Sequence, residues 1–183
     1  MTKRSKVEAY RWRSAKRSVM IKLIGLINGK LLTPSKHSQL IKVSSFLNIK
    51  PVIDNSFNKD SSWFAGFFDA EGYFSIRNTY TLTLSVSQKD KGILEKIKSS
   101  FGVGEIYYDT SWKGYNYVVC TRKELDVFME YFSKYPLKTL KHVDYISFRR
   151  LLLFLKRNYH HHNHPNKVRI DNLIRLFKQR NKR

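Results

Sequence analysis

Residues 61 to 134 change hydrophobic period in a fixed order, helix then strand then strand, and do so twice before a third helix closes the series. Ser61 and Ser62 precede Trp63 to Ala70, where apolar positions recur at helical spacing, and Gly72 supplies a stop. Tyr73 to Arg77 and Thr81 to Ser87 follow, the second alternating strictly between apolar and hydroxyl side chains, the pattern of a strand with one covered face. Asp90 is placed to cap a helix that ends at Phe101-Gly102. Two more strands are expected at Glu105 to Asp109 and Tyr115 to Cys120, then a helix from Lys123 to Phe132. Strands adjacent in sequence pair antiparallel, so the fold class is α+β: an αββαββα domain with a concave antiparallel sheet and helices on one face. The same alternation turns Leu82, Leu84 and Val86 toward the helices and Thr81, Thr83, Ser85 and Ser87 outward, with Arg77 and Tyr107.

The flanks are helical and basic. Val19 to Ile27 reads as a helix stopped by Asn28-Gly29, Ser35 to Leu47 as a second behind Pro34, and Asn48 to Asp60 as a linker. A helix is expected across Val143 to Lys156 and a last basic one from about Lys167. Three regions result: an arm and helical bridge over 1–60, the domain over 61–157, and a loop with a basic C-terminal helix over 158–183. Lys and Arg number 35 against 14 Asp and Glu, a net charge of +21. Such a field concentrates polyanions, above all nucleic acid. No apolar run approaches the roughly 20 residues that span a bilayer, so no membrane insertion is expected. Cys120 is the single cysteine, which rules out an internal disulfide and points to a reducing compartment. The first 22 residues, with Glu8 their one acid, have the character of a transit peptide, and the wealth of Lys, Asn, Ile, Tyr and Phe suits an organellar, mitochondrial gene. The histidines at 160, 161, 162 and 164 have no Cys or carboxylate beside them and point in different directions. They read as a solvated or phosphate-facing loop rather than a metal site.

The run Phe64-Ala65-Gly66-Phe67-Phe68-Asp69-Ala70-Glu71-Gly72 resembles the signature of the LAGLIDADG homing endonuclease family. Ser87-Gln88-Lys89-Asp90, Phe101-Gly102-Val103-Gly104 and Pro136 to Lys141 stand where that family has similar runs. Independently of the family, Ala65 and Gly66 make a bare helix face to which a second helix can approach closely. A carboxylate at a helix C-terminus sits in an unfavourable field unless a cation compensates it. The resemblance implies that Glu71, in place of the commoner Asp, is the metal-binding acid, with Mg2+ as the ion. It also implies that Gln88 helps order the attacking water, and that Lys141 stabilises charge on the phosphate. Asp69 would be structural at the helix interface, and Leu140 departs from a position that is polar or basic in many relatives.

Only one motif is present. Tyr10-Arg11-Trp12-Arg13 and Ile27-Asn28-Gly29-Lys30 resemble the end of a first half and the bridge into a second, so the chain reads as the C-terminal portion of a double-motif design. Two functions stay open. One is a metal-dependent double-strand DNA endonuclease completed by a second motif-bearing half, as homodimer or heterodimer. The other is a non-catalytic RNA-binding protein, an intron maturase or an organellar ribosomal protein.

Overall fold

The computed structural model describes residues 13–77, 80–161 and 163–180. The arm before Arg13, including Tyr10 to Trp12, lies outside them. The chain divides into two compact units at Asn55/Ser56. In the first, α1 (Arg17–Ile27) and α2 (Pro34–Leu47) bury Ile24, Leu40 and Leu47 against one another. Pro34 occupies the first turn of α2, where its missing N–H costs nothing. The Asn28 side chain ties the chain beyond α1 to the following segment, donating to Lys50 O at 3.1 Å and accepting from Val52 N at 2.7 Å.

The second unit carries α3 (Trp63–Glu71), β1 (Gly72–Ile76), β2 (Leu82–Gln88), α4 (Lys91–Phe101), β3 (Glu105–Asp109), β4 (Gly114–Val119), α5 (Arg122–Lys134), α6 (Lys141–Lys156) and α7 (Lys167–Arg180). The four strands form one antiparallel sheet in the order β1-β2-β4-β3. Phe74, Leu84, Val86, Tyr117 and Val119 are buried beneath the helices, as period-two patterning requires. The described residues after 157 belong to this unit. Ile170 and Phe177 of α7 are buried, and Arg180 reaches Asp144 at 3.4 Å and the Ser147 hydroxyl at 2.7 Å on α6.

Local chemistry accounts for most boundaries. Asp90 accepts from Gly92 N at 2.9 Å, and Gly102 closes α4 in the left-handed conformation that only glycine adopts freely. Thr121 and Glu124 form a reciprocal cap that starts α5 one residue before the sequence pattern placed it. Two details differ from expectation. Ser62 makes no cap; the Ser61 hydroxyl takes Trp63 N instead, at 3.4 Å. Gly72 is extended, not left-handed, and glycine is needed there because a Cβ would lie 2.2 Å from the Phe68 ring.

The Tyr131 hydroxyl, from α5, donates to Ser61 O at 2.6 Å and accepts from Ala65 N at 3.1 Å, so it staples the start of α3. Burial pushes this phenol up to about 12 from 10. A group with a raised folded pKa contributes stability that is complete below pH 10 and lost as pH climbs through 12. Tyr131→Phe is expected to cost about 1–3 kcal/mol at neutral pH, since it leaves buried partners unpaired. It should also flatten the fall of stability between pH 10 and 12, as read by urea titration. An equally steep fall in the variant would assign the alkaline loss to other groups.

Candidate catalytic and nucleic-acid-binding site

The C-terminal end of α3 is tied down from a segment 70 residues later. Both carboxylate oxygens of Asp69 are engaged, accepting from Lys138 N and from the Thr139 hydroxyl, each at 2.6 Å. The Lys141 ammonium, at the start of α6, donates to Phe68 O at 3.1 Å and Asp69 O at 2.7 Å, two carbonyls of the last turn of α3, the first of which also accepts from Gly72 N. Burial draws the Lys141 pKa below its ordinary value, against the opposing pull of the Asp69, Glu71 and Asp144 carboxylates.

Glu71 stands in contrast. It is the last residue of α3, exposed, and its carboxylate makes no hydrogen bond or ion pair among the described residues. Gln88 is half-buried at the end of β2, two positions beyond the Gly72–Val86 pair, and so at the same sheet end where α3 passes into β1. Glu71 and Lys141 are thus brought within electrostatic reach of each other, with Gln88 on the neighbouring strand end. Among the described residues, no group of three or more His, Cys, Asp or Glu is arranged to hold a metal ion.

Ser87 and Tyr107 lie on the helix-free face of the sheet by register, Tyr107 57% exposed; Arg77 and Thr81 stand just beyond β1 and before β2, Arg77 exposed and Thr81 half-buried in a small pocket with Arg122 and Leu155. Thr83 and Ser85 share this face by register, but they are buried, at 8% and 2% exposure. Their side chains are short and sit on the central strand β2, where larger neighbours such as Tyr73 and Val118, paired with Ser85, overshadow them. Sequence reasoning also missed Tyr73, 46% exposed, and Asn116, which takes the Ser87 hydroxyl at 2.6 Å and approaches Asp109 at 3.4 Å. The alternation that selected Arg77 selects Tyr73 equally; Asn116 emerges only from the pairing of β4 with β2 and β3. The face is not strongly basic, because Glu105 and Asp109 on β3 offset Arg77. Much of the positive charge lies in residues 1–55, with 12 Lys and Arg against Glu8 and Asp54, and in α6 to α7.

The bare face of α3 also differs from expectation. Ala65 is buried within its own unit, at 4% exposure, whereas Gly66 and Ala70, one turn apart, are exposed. A Cβ built on Gly66 meets nothing within 4 Å.

The family model described as LAGLIDADG endonuclease matches residues 64–152, from the start of α3 into α6. The chain belongs to the LAGLIDADG family. It is 37% identical over 145 residues to the intron-encoded RNA maturase bI4 of Saccharomyces cerevisiae, a match covering 75% of this chain and 23% of the maturase. It is 33% identical over 181 residues to the probable intron-encoded endonuclease 4 of Neurospora crassa, covering 88% and 31% of the two chains. Among solved structures, the LAGLIDADG meganuclease I-CpaMI bound to uncleaved DNA superposes with a TM-score of 0.52 at 32% identity, over 57% of this chain and 39% of that one. The chain therefore spans about a quarter to a third of the length of these two curated relatives. Among the described residues of this LAGLIDADG protein, no helix is long and apolar enough to cross a membrane.

Proposed function

We propose that the chain is one half of a metal-dependent endonuclease that cuts both strands of a DNA duplex once a second motif-bearing half is supplied. The observation that carries this reading is the free Glu71 carboxylate at the C-terminus of α3, beside a half-buried Lys141 whose position is fixed by two backbone carbonyls. Glu71 is a hard oxygen donor with no hydrogen-bond partner among the described residues, which fits Mg2+, whereas both oxygens of Asp69 are engaged in holding the segment before α6. Mg2+ would be held by Glu71 and the equivalent acid of the second half, supplying a Lewis acid for charge on the scissile phosphate.

The remaining roles belong to the protein. A lysine ammonium has three donors, and two are spent on Phe68 O and Asp69 O, so Lys141 keeps one for a phosphate oxygen. Its lowered pKa makes it a readier proton donor than a solvated lysine. Gln88, an amide at the adjoining strand end, is suited to orienting water. The open sheet face, with Tyr73, Ser87, Tyr107 and Asn116, and with Arg77 and Thr81 beside it, would lie along the duplex, where hydroxyl and amide groups read base edges and phosphates. An organellar, mitochondrial setting is part of the proposal, in keeping with intron-encoded relatives.

Pairing is proposed to run through Gly66 and Ala70, small side chains that let two helices approach closely. Gly66→Leu fills open space, so the lone chain should melt at or above the wild-type temperature, glycine being a poor helix residue. In sedimentation, the variant should fail to pair with its own copy or an added half. Unimpaired pairing and cleavage by Gly66→Leu would refute this interface.

A second reading is favoured by the likeness to an RNA maturase: the same fold binds intron RNA without cutting. Under that reading Glu71 is dispensable.

A further inference from the structure

A cleft of about 590 Å³ opens between α6 and α7, outside the site described above. Phe154 of α6 is half-buried in its wall, and the guanidinium carbons of Arg150 and Arg169, one from each helix, both lie 5.8 Å from the ring centroid. The aromatic surface continues: Phe154 faces Tyr159 at 5.8 Å, and Tyr159 stacks on His164 at 4.3 Å with an interplanar angle of 17°. Neither arginine makes an ion pair or hydrogen bond among the described residues, and no Asp or Glu is among the described residues lining the cleft. From Lys141 to Arg180 the sequence holds ten Lys and Arg against Asp144 and Asp171.

Two guanidinium groups converge on one ring, and no acidic side chain among the described residues lines the cleft to pair with them. That arrangement calls for an anion. A bare phosphate leaves unexplained the aromatic series and the exposed Val168 and Leu176 on α7, at 70% and 53%. An apolar peptide leaves the arginines unpaired. A planar base joined to a phosphate satisfies both, because guanidinium planes and aromatic rings stack on bases while guanidinium forks take phosphate oxygens. In a duplex the base faces are covered by their neighbours, whereas a single strand presents them. We infer that the α6–α7 cleft binds single-stranded nucleic acid, with an unpaired base stacked on the Arg150–Phe154–Arg169 platform and the adjoining phosphate held by the two arginines. The inference does not depend on Glu71 or on cleavage.

The test measures anisotropy of labelled uridine and thymidine oligonucleotides, and of a mixed-sequence duplex, against the full chain. Arg150→Gln/Arg169→Gln should weaken single-strand binding by at least about 10-fold, within the range of one stacked base, and reduce the salt slope by about 0.7 for the one phosphate the pair holds. Lys36→Gln/Lys42→Gln removes the same charge from α2 and should weaken it far less. Arg150→Lys/Arg169→Lys keeps the charge and loses the plane, so affinity should still fall while the salt slope holds; this variant also guards against misfolding in the first, which melting curves reveal. Equal losses for uridine and thymidine strands support the shared base-and-phosphate chemistry. A loss confined to uridine supports it with an added 2′-hydroxyl contact. No single-strand binding by the wild type, losses matched by the α2 control, or losses equally large on duplex would each overturn the inference.

Discussion

Glu71→Gln is expected to abolish DNA cleavage in magnesium, by at least about 100-fold, while duplex affinity in its absence changes little. The magnitude follows from the ligand's role: outer-shell partners of a metal ligand already cost 10–100-fold when removed, and a direct ligand costs no less. Binding is spared because the carboxylate makes no hydrogen bond or ion pair among the described residues, and Gln preserves its size. The measurement is single-turnover nicking of a cognate duplex by the chain combined with its second half. Because one carboxylate addresses one strand, a heterodimer carrying the change on this half should retain nicking of the other strand. Full double-strand cleavage by the variant would sink the nuclease assignment. If the wild type itself proves inactive while binding intron RNA, and Glu71→Gln leaves that binding unaltered, the maturase reading stands in its place.

Phe64→Ala should destabilise the second unit by about 3–5 kcal/mol, a large share of the 5–15 kcal/mol that holds a typical domain together. Phe64 is fully buried and its ring lies 5.1 to 6.0 Å, centre to centre, from those of Phe68, Phe101, Phe128, Tyr131 and Phe132. One truncation therefore opens a cavity where α3, α4 and α5 meet. At roughly 2–4 °C per kcal/mol for a chain of this size, the melting temperature should fall by about 10 °C. Phe67→Leu on the same helix provides the comparison, since Phe67 is half-buried and stacks mainly on Trp63 at 4.9 Å. A loss under about 1 kcal/mol at Phe64 would mean that the aromatic cluster is not the keystone of this unit.

The order of elements was readable because it rests on local physics. The alternation of Thr81 to Ser87, the cap at Asp90 and the glycine at 102 each act within a few residues of chain. What escaped depends on distant partners. Thr83 and Ser85 alternate correctly yet are buried, since exposure of a short side chain is decided by the neighbours on β1 and β4. Ala65 looked like part of an open face, but burial against its own unit is set by α5, whose Tyr131 lies 66 residues away and binds its N–H. Glycine at 72 was read as a backbone device and proves to be a matter of space against Phe68. The resemblance to the LAGLIDADG motif pointed to Glu71, Gln88 and Lys141 together. The clamp on Lys138 and Thr139 was invisible, because nothing near Asp69 in the sequence specifies a partner some 70 residues on.

That clamp separates two kinds of selective pressure within three residues of helix. Asp69 holds the approach to α6 in place, a structural task that does not depend on whether the chain cuts. Glu71, with no hydrogen bond or ion pair among the described residues, would be needed only for chemistry under the proposed function. Under the proposed function, descendants that exchanged cutting for RNA work would be expected to vary at 71 while keeping the acid at 69. A survey of the two positions side by side would then date the loss of the nuclease in any lineage, with the structural position serving as its internal clock.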